Sequence, residues 1–373
     1  MLFSLAYTAE IVFFIMGLYR SARAASPEAL RELPTVCVIL PVRNEEKMLP
    51  QTLESLYRQD YPAQKWQLIL VDDHSTDRTA EVAVQFQQKM ANLIILPAQA
   101  NTEQIGPKKK AILTAMAHTN TEVILTTDAD VRHNPAWIRT MVQHLGQENA
   151  AVVGSVDRRG ENNWLHELLH LQTFSTNIIA CGGLGWGIGI SSFGANFGYR
   201  RTAFEQVGGF GNTAYGISGD DDLLLQRMTG AGLRAVFVMD PRARVITWTD
   251  ATPGDTWAQG RRHLSASRRY RWPLQIAGAA WFLYSALIVV GTVVGLLSGS
   301  RWLLTAALAA WFWKGLMEIV ILRNGARLLD EKLAWKTMLA AVLIHPWWFT
   351  VILPFAFIGK LTWKGRVLKE RRK

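Results

Sequence analysis

The sequence predicts an α/β protein built on a mostly parallel sheet flanked by helices, with apolar helices at both ends of the chain. Two observations predict it. Between about Pro34 and Asp250, short apolar runs alternate with stretches of helical spacing, and several of the runs end directly in polar or acidic clusters. Outside that block, apolar residues concentrate at 1–19 and again after Trp272. A chain of 373 residues has room for one large α/β domain and a few further helices.

Residues 1–19 are largely apolar and are followed by Arg20 and Arg23. A cleaved leader carries its charges before the apolar run, so the order here predicts an anchor with its C-terminal end in the cytoplasm. Glu10 is its one costly residue, and an interfacial helix is the alternative. Thr35–Leu40 is apolar almost throughout, the pattern of a strand covered on both faces. Helical spacing follows over Glu45–Gln59. Trp66–Val71 predicts a second strand running into Asp72 and Asp73, and Thr79–Lys89 a helix capped by Ser75 or Asp77. Leu93–Leu96 predicts a third strand and Lys108–His118 a helix. Val123–Thr126 predicts a fourth strand, running into Asp128 and Asp130. Gly182–Gly198 lacks the strand-then-helix context of a dinucleotide site and predicts a mobile loop. Near the C-terminus, 275–297, 302–322 and 335–358 each hold roughly the ~20 apolar residues needed to cross ~30 Å of hydrocarbon. Lys314 and Glu318 are expected to pair on one helix face. Pro346 and Pro354 make the last segment a kinked span or a re-entrant hairpin. With the arginines before Trp272 in the cytoplasm, three full spans would leave the basic tail outside, so the number of spans stays open.

The net charge of +10 comes from two stretches: five arginines between Arg261 and Arg271, and seven basic residues against one Glu in Lys360–Lys373. Both abut apolar runs, which points to a collar facing anionic lipid and away from a nucleic-acid partner. Cys37 and Cys181 have no metal-ligand spacing and read as two buried or free thiols in a reducing compartment. The chain has no nucleophile elbow and no phosphate-binding P-loop.

In open α/β sheets, ligands bind beyond the carboxyl ends of the strands. Arg43–Asn44–Glu45, Asp72–Asp73 and Asp128–Asp130 all follow strand ends, so they converge on one edge. A single such Asp often caps the next helix, but three clusters in register exceed that need. Asp128 and Asp130 on one short turn suit Mg²⁺ or Mn²⁺, with phosphate oxygens completing the shell. Lys108–Lys110 add positive charge beside them. Asp220–Asp222 set three carboxylates side by side, whose repulsion raises the pKa of one of them, as a general base requires. His133 is a further candidate metal ligand; the plainer reading is a loop residue before Pro135.

In these motifs the chain resembles the membrane-bound inverting family 2 glycosyltransferases. These have a GT-A fold and include cellulose, chitin and hyaluronan synthases and lipid glycosyltransferases. The resemblance covers about Pro34 to Trp272. Pro41-Val-Arg-Asn-Glu-Glu46 resembles the family's PxxNE strand end, and Val71-Asp-Asp-His-Ser-Thr-Asp77 its VDDGSTD motif with His74 in place of Gly. Pro107-Lys-Lys109 resembles its Lys-containing helix start, and Asp128-Ala-Asp130 its DxD. Gly194-Ala-Asn196 resembles its acceptor-side loop, and Gly219-Asp-Asp221 its G-E-D, with Arg227 following. Gln259-Gly-Arg-Arg262-His263 resembles its QxxRW, with His263 in the Trp position.

The resemblance implies donor contacts from Pro41, Arg43, Glu45, Asp73, Lys109, Asp128, Gln259 and Arg262. It implies a metal ligand in Asp130 and a catalytic base in Asp221. Asp220 is the alternative base, because Asp222 permits a one-residue shift. Asn196, His263 and Trp272 fall on the acceptor side, with Trp272 also suited to an interfacial belt. The implied organisation is an anchor (1–22), a cytoplasmic catalytic domain (34–258) and a basic interfacial segment (259–274). Membrane helices (275–360) and a basic tail (361–373) follow, in a multi-pass protein of the inner membrane. The expected reaction moves a hexose from a nucleotide-sugar, UDP-linked by family habit, to a membrane lipid. The His263 departure favours the lipid over a growing polysaccharide; a non-catalytic scaffold or transporter is the remaining alternative.

Overall fold

The computed structural model describes residues 2–24, 27, 30, 32–99, 105–160, 163–248, 253–356, 361–363 and 366–368. Helix α1 (Leu2–Ala24) leads into β1 (Val36–Val42), α2 (Leu49–Tyr57), β2 (Trp66–Asp72), α3 (Thr79–Gln87), β3 (Leu93–Pro97), α4 (Pro107–Met116) and β4 (Val123–Thr126). The four strands and three helices expected here all form, with ends shifted by a few residues. Then come β5 (Val131–Arg132), α5 (Trp137–Leu145), β6 (Ala151–Gly154), β7 (Val156–Arg159), α6 (Trp164–Leu184), β8 (Phe197–Arg200), α7 (Arg201–Gln206), α8 (Asp222–Gly230), β9 (Ala235–Val238) and β10 (Val245–Trp248). The chain continues through α9 (Pro253–Ala266), α10 (Trp272–Ser298), α11 (Arg301–Leu328) and α12 (Trp335–Ala356). A hairpin of β11 (Leu361–Trp363) and β12 (Arg366–Leu368) falls within the basic tail.

The main sheet has seven strands in the order β3-β2-β1-β4-β8-β6-β9. Only β8 runs against its neighbours, β4 and β6; the other pairings are parallel. Burial on both faces explains why β1 is apolar at consecutive positions. Val36, Val38 and Leu40 pack into one core, and Cys37 and Ile39 into the core on the opposite face. Burial pushes the Cys37 and Cys181 thiols up to about 12, which leaves both inert at neutral pH. A second sheet, β5-β10-β7, stands beyond the carboxyl edge of the first.

The stretch read as a mobile loop is corrected in its first part. Gly182 and Gly183 belong to the last turn of α6, and Gly182 meets Gly17 of α1 backbone to backbone. A Cβ on Gly17 would fall 1.9 Å from the Gly182 carbonyl oxygen, so only glycine permits this crossing. By length and composition, α1, α10 and α11 are each able to cross a membrane. Leu283, Leu287, Val290, Leu297, Trp302 and Phe312 are exposed on the latter two. The expected Lys314–Glu318 pair forms, buried in α11. Glu318 also accepts from His345 Nδ1 of α12 at 2.8 Å and from the Tyr7 hydroxyl of α1 at 3.4 Å. Pro346 and Pro354 lie inside α12, which remains one helix.

Candidate active site

The carboxyl ends of β1, β2, β4 and β6 share one edge, because the pairings between them are parallel or pass through the reversed strand β8. The first sheet-end loops are tightly braced. Pro41 is still within β1, opposite Val71. Arg43 is buried, and its Nη1 donates to the carbonyls of Asp73 and, at 3.1 Å, His74. Arg43 therefore shapes the wall on which Asp73 stands. His74 has φ of +57°, the left-handed region that glycine occupies most easily, which explains the glycine of the resembling motif. The Glu45 amide donates to Thr79 Oγ1 at 2.7 Å. Asp77 caps the turn at Thr79 and also accepts from the Glu46 amide, so its role is structural.

The adjacent lysines divide their work, and the reading that placed Lys109 against the donor is corrected. Lys109 is 1% exposed, and its ammonium donates to the carbonyls of Thr213, Gly216 and Ser218 at 2.6, 3.2 and 2.7 Å. Its three protons are spent holding the loop that leads to the acidic cluster, and burial lowers its pKa to about 8. Lys108 reaches the cleft instead, with Nζ 2.6 Å from Asp128 Oδ1 and 3.4 Å from Asp220 Oδ2. Burial opposes its charge, but the three carboxylates Asp128, Asp220 and Asp221 raise its pKa, so it stays an ammonium. Gly194 makes room for this contact: a Cβ there would lie 2.3 Å from Lys108 Nζ and 2.9 Å from Asp220 Oδ2.

Asp130 is fixed by the second sheet. Its Oδ2 accepts from Thr247 Oγ1 at 3.2 Å, and its carbonyl accepts from the Trp248 amide at 3.0 Å. Among the described residues, no three His, Cys, Asp or Glu side chains gather to hold a metal by themselves. A partly exposed carboxylate pair at 128 and 130 thus fits an ion shared with a phosphate-bearing ligand and does not form a closed protein cage. His133 is not part of it. Its Nε2 lies 2.8 Å from Thr127 Oγ1, its Nδ1 lies 3.0 Å from Ser55 Oγ, and burial pushes its pKa down to about 3.

The three carboxylates at the start of α8 have distinct environments. Asp222 is buried, accepts from the Leu223 amide at 2.7 Å and takes the Tyr270 hydroxyl. Burial raises the Asp220 pKa, but Lys108 and Lys109 overcome it and hold this carboxyl below the usual range. Asp221 is pushed well above that range by burial and by Asp220 and Asp222. Burial raises the Asp222 pKa too, against its bond from Tyr270, so Asp220 is the one carboxyl of the three that is held low.

Gln259 and Arg262 lie on α9, which closes the cleft. Gln259 Oε1 accepts from Arg158 Nη2 of β7 at 3.0 Å. Arg262 is influenced by Asp128 and Asp220, and burial lowers its pKa against their pull. His263 is solvent-exposed beside it. Trp272 is 73% exposed at the start of α10, a position suited to an interfacial belt. Asn196 is corrected: it is fully buried and presents no surface to an acceptor. Its amide donates to the carbonyls of Ser155 and Ala243 at 2.8 and 2.9 Å and accepts from Trp137 Nε1 at 2.9 Å, which ties the two sheets together. Arg158 is the residue that the motifs missed. It faces Asp130 and Gln259 just beyond the end of β6, so the strand-end signal used for the other clusters would have found it.

Comparisons with known proteins bear on this arrangement. The family model described as "Glycosyl transferase family 2" matches residues 37–208, and that described as "Glycosyl transferase family group 2" matches residues 123–359. The probable glycosyltransferase YdaM of Bacillus subtilis is 26% identical over 250 residues, covering 64% of this chain and 57% of its own length. The beta-monoglucosyldiacylglycerol synthase of Synechocystis is 26% identical over 200 residues, covering 52% and 40%. The undecaprenyl-phosphate 4-deoxy-4-formamido-L-arabinose transferase of Photorhabdus laumondii is 33% identical over 128 residues, covering 34% and 38%. The chain thus spans about half the length of these curated relatives, or less. In fold, it is similar to the mannosyltransferase PcManGT of Pyrobaculum calidifontis, solved with GDP-Man and Mn²⁺. The TM-score is 0.55 at 20% identity, covering 94% of this chain and 98% of that one.

Proposed function

The chain belongs to the family 2 glycosyltransferases, and from that premise we propose that it transfers a hexose, with inversion, from a nucleoside-diphosphate sugar to a hydroxyl of a membrane lipid. The observation that carries the reading is the opposite drive on Asp220 and Asp221 beside Lys108. Asp221 accepts the proton of the acceptor hydroxyl. The freed oxygen bonds to the anomeric carbon as the bond from that carbon to the diphosphate oxygen breaks. Attack from the face opposite the leaving group inverts the centre, and no covalent enzyme intermediate is required. Lys108, Arg262 and Arg158 take up the negative charge of the departing nucleoside diphosphate. A divalent cation at Asp130, with Asp128 beside it, would offset the same charge. Asp73 and Glu45 line the nucleotide end of the cleft.

Two features support a lipid acceptor. The cleft is closed by α9, directly before the membrane-length helix α10. Two of the relatives are, by name, a glucosyldiacylglycerol synthase and an undecaprenyl-phosphate transferase. The catalytic unit then faces the cytoplasm, with its basic collar on the inner leaflet. The test is incubation of the purified full-length protein with Mn²⁺, total membrane lipids and labelled UDP- or GDP-hexoses. One labelled glycolipid is expected. A ladder of water-soluble polymer would replace the lipid by a glycan chain, and no transfer with any donor would overturn the enzymatic reading.

A further inference from the structure

Strand β7 turns Arg158 toward the cleft and Asp157 toward the opposite face, as strand alternation requires. Asp157 is 5% exposed, and Arg159 Nε donates to it at 2.9 Å. His170 of α6 stands against it, with Nδ1 3.1 Å from Asp157 Oδ1. The other ring nitrogen, Nε2, lies 3.7 Å from Glu331 Oε1 in the turn between α11 and α12. The second oxygen of Glu331 accepts from Arg244 Nη1 at 3.1 Å, and Arg244 also donates to the Leu329 carbonyl. Arg244 immediately precedes β10. The five charged groups therefore fasten the small sheet to α6 and to the turn that ends α11. Transfer chemistry uses none of the five. Yet β7 carries Arg158, and β10 carries Thr247, which is paired in register with Arg158 and bonded to Asp130.

We propose that His170 is a positioning residue: by bridging Asp157 and Glu331 it locks the small sheet to the helices, and so sets Arg158 and Asp130 where they receive the donor diphosphate. The proposal rests on the reading of the cleft as a donor site. A buried carboxylate such as Asp157 is costly unless paired, and Arg159 and His170 are the groups that face it. The Asp157 hydrogen bond raises the His170 pKa against burial, and Glu331 adds to the rise. Burial opposes the Asp157 charge, but His170 and Arg159 hold its carboxyl low. Removing the imidazole leaves the first sheet and the carboxylates of α8 untouched while freeing the small sheet to shift. A structural pin would act on stability alone, whereas a positioning residue acts on donor affinity.

The experiment titrates full-length protein in lipid nanodiscs with UDP and with GDP, each with Mn²⁺. It compares the parent with His170→Ala, His170→Gln, Glu331→Gln and the double variant His170→Ala/Glu331→Gln, and it records melting temperatures. The parent binds one of the nucleotides. His170→Ala weakens that binding about five- to twentyfold, within the usual span of coupling between linked sites. His170→Gln retains one donor and is intermediate. Glu331→Gln falls in the same direction, and the double variant is no worse than His170→Ala, because both cut one bridge. Failure of the parent to bind either nucleotide overturns the donor reading and this proposal with it. Parental binding with unchanged affinity in the folded variants, or a loss of melting temperature alone, makes His170 a pin and refutes the positioning role. Should His170→Ala not fold, His170→Gln decides by the same comparison.

Discussion

Replacing Asp221 by Asn should abolish transfer and, at the same time, make the protein harder to unfold. Asp221 is the carboxyl driven well above the usual range, by burial first and then by Asp220 and Asp222. The folded chain holds that proton more tightly than the unfolded chain, so stability is full below the unfolded value of ~4 and declines as pH rises above it. Asn carries no charge and escapes the decline. Each tenfold gain in proton affinity on folding is worth ~1.4 kcal/mol. The melting temperature is therefore expected to exceed the parent's at pH 8, by a margin that shrinks toward pH 5. Loss of the proton acceptor should lower the transfer rate by roughly 10²- to 10⁴-fold. The parent's kcat/KM should fall as pH is lowered through the Asp221 pKa, since the ionised form accepts the proton. Asp220→Asn should do the reverse to stability, because Lys108 and Lys109 hold that carboxylate ionised and the substitution removes their partner. Thermal unfolding at pH 5 and pH 8, with labelled-donor transfer measured on the same samples, checks all of this. Transfer within tenfold of the parent, or a lower melting point than the parent at pH 8, would refute the assignment of the base.

Lys109→Met should destabilise the fold, by about 1–3 kcal/mol for each buried carbonyl left without a donor, since three carbonyls lose theirs. Lys108→Met should also lower the melting temperature, because Asp128 and Asp220 lose their cation, and should in addition raise the donor KM; an equal rise in donor KM from Lys109→Met would contradict their division. Gly194→Ala should lower activity sharply with little change in unfolding, because its Cβ would land on Lys108 and Asp220; parental kinetics would show that this contact is dispensable. Chelation by EDTA should stop transfer and Mn²⁺ should restore it, with Asp130→Ala needing more metal. Full activity in excess chelator would remove the ion from the mechanism.

The main sheet was legible because each of its first four strands is short and apolar at consecutive positions, and three of them run directly into polar residues. That pattern reports burial on both faces, and it requires no knowledge of partners. The acidic clusters were legible for a related reason: parallel pairing sends strand ends to one edge. Other features depend on tertiary partners that spacing cannot reveal. Lys108 and Lys109 are adjacent on α4, and only the position of the 213–218 loop decides which faces the cleft. Asn196 looked like a ligand contact, but its partners are Trp137, Ser155 and Ala243, distant in the sequence and brought together by the second sheet. That sheet was invisible, since β5 has two residues and β7 is charged at three of its four. Gly182 and Gly183 suggested a loop by composition, whereas their smallness serves a helix crossing.

That crossing has a geometric consequence. Helix α6 forms part of the wall of the catalytic unit and is also, through Gly17 and Gly182, in backbone contact with the N-terminal apolar helix. At that point the two backbones meet with no side chain between them, so the separation of the two helices there is set by covalent dimensions. On the proposed reading, the cleft works at a fixed altitude. A lipid acceptor whose hydroxyl stands too high or too low above its own hydrocarbon would miss Asp221 whatever its chemistry, so such an enzyme would measure the height of its substrate before recognising any group on it.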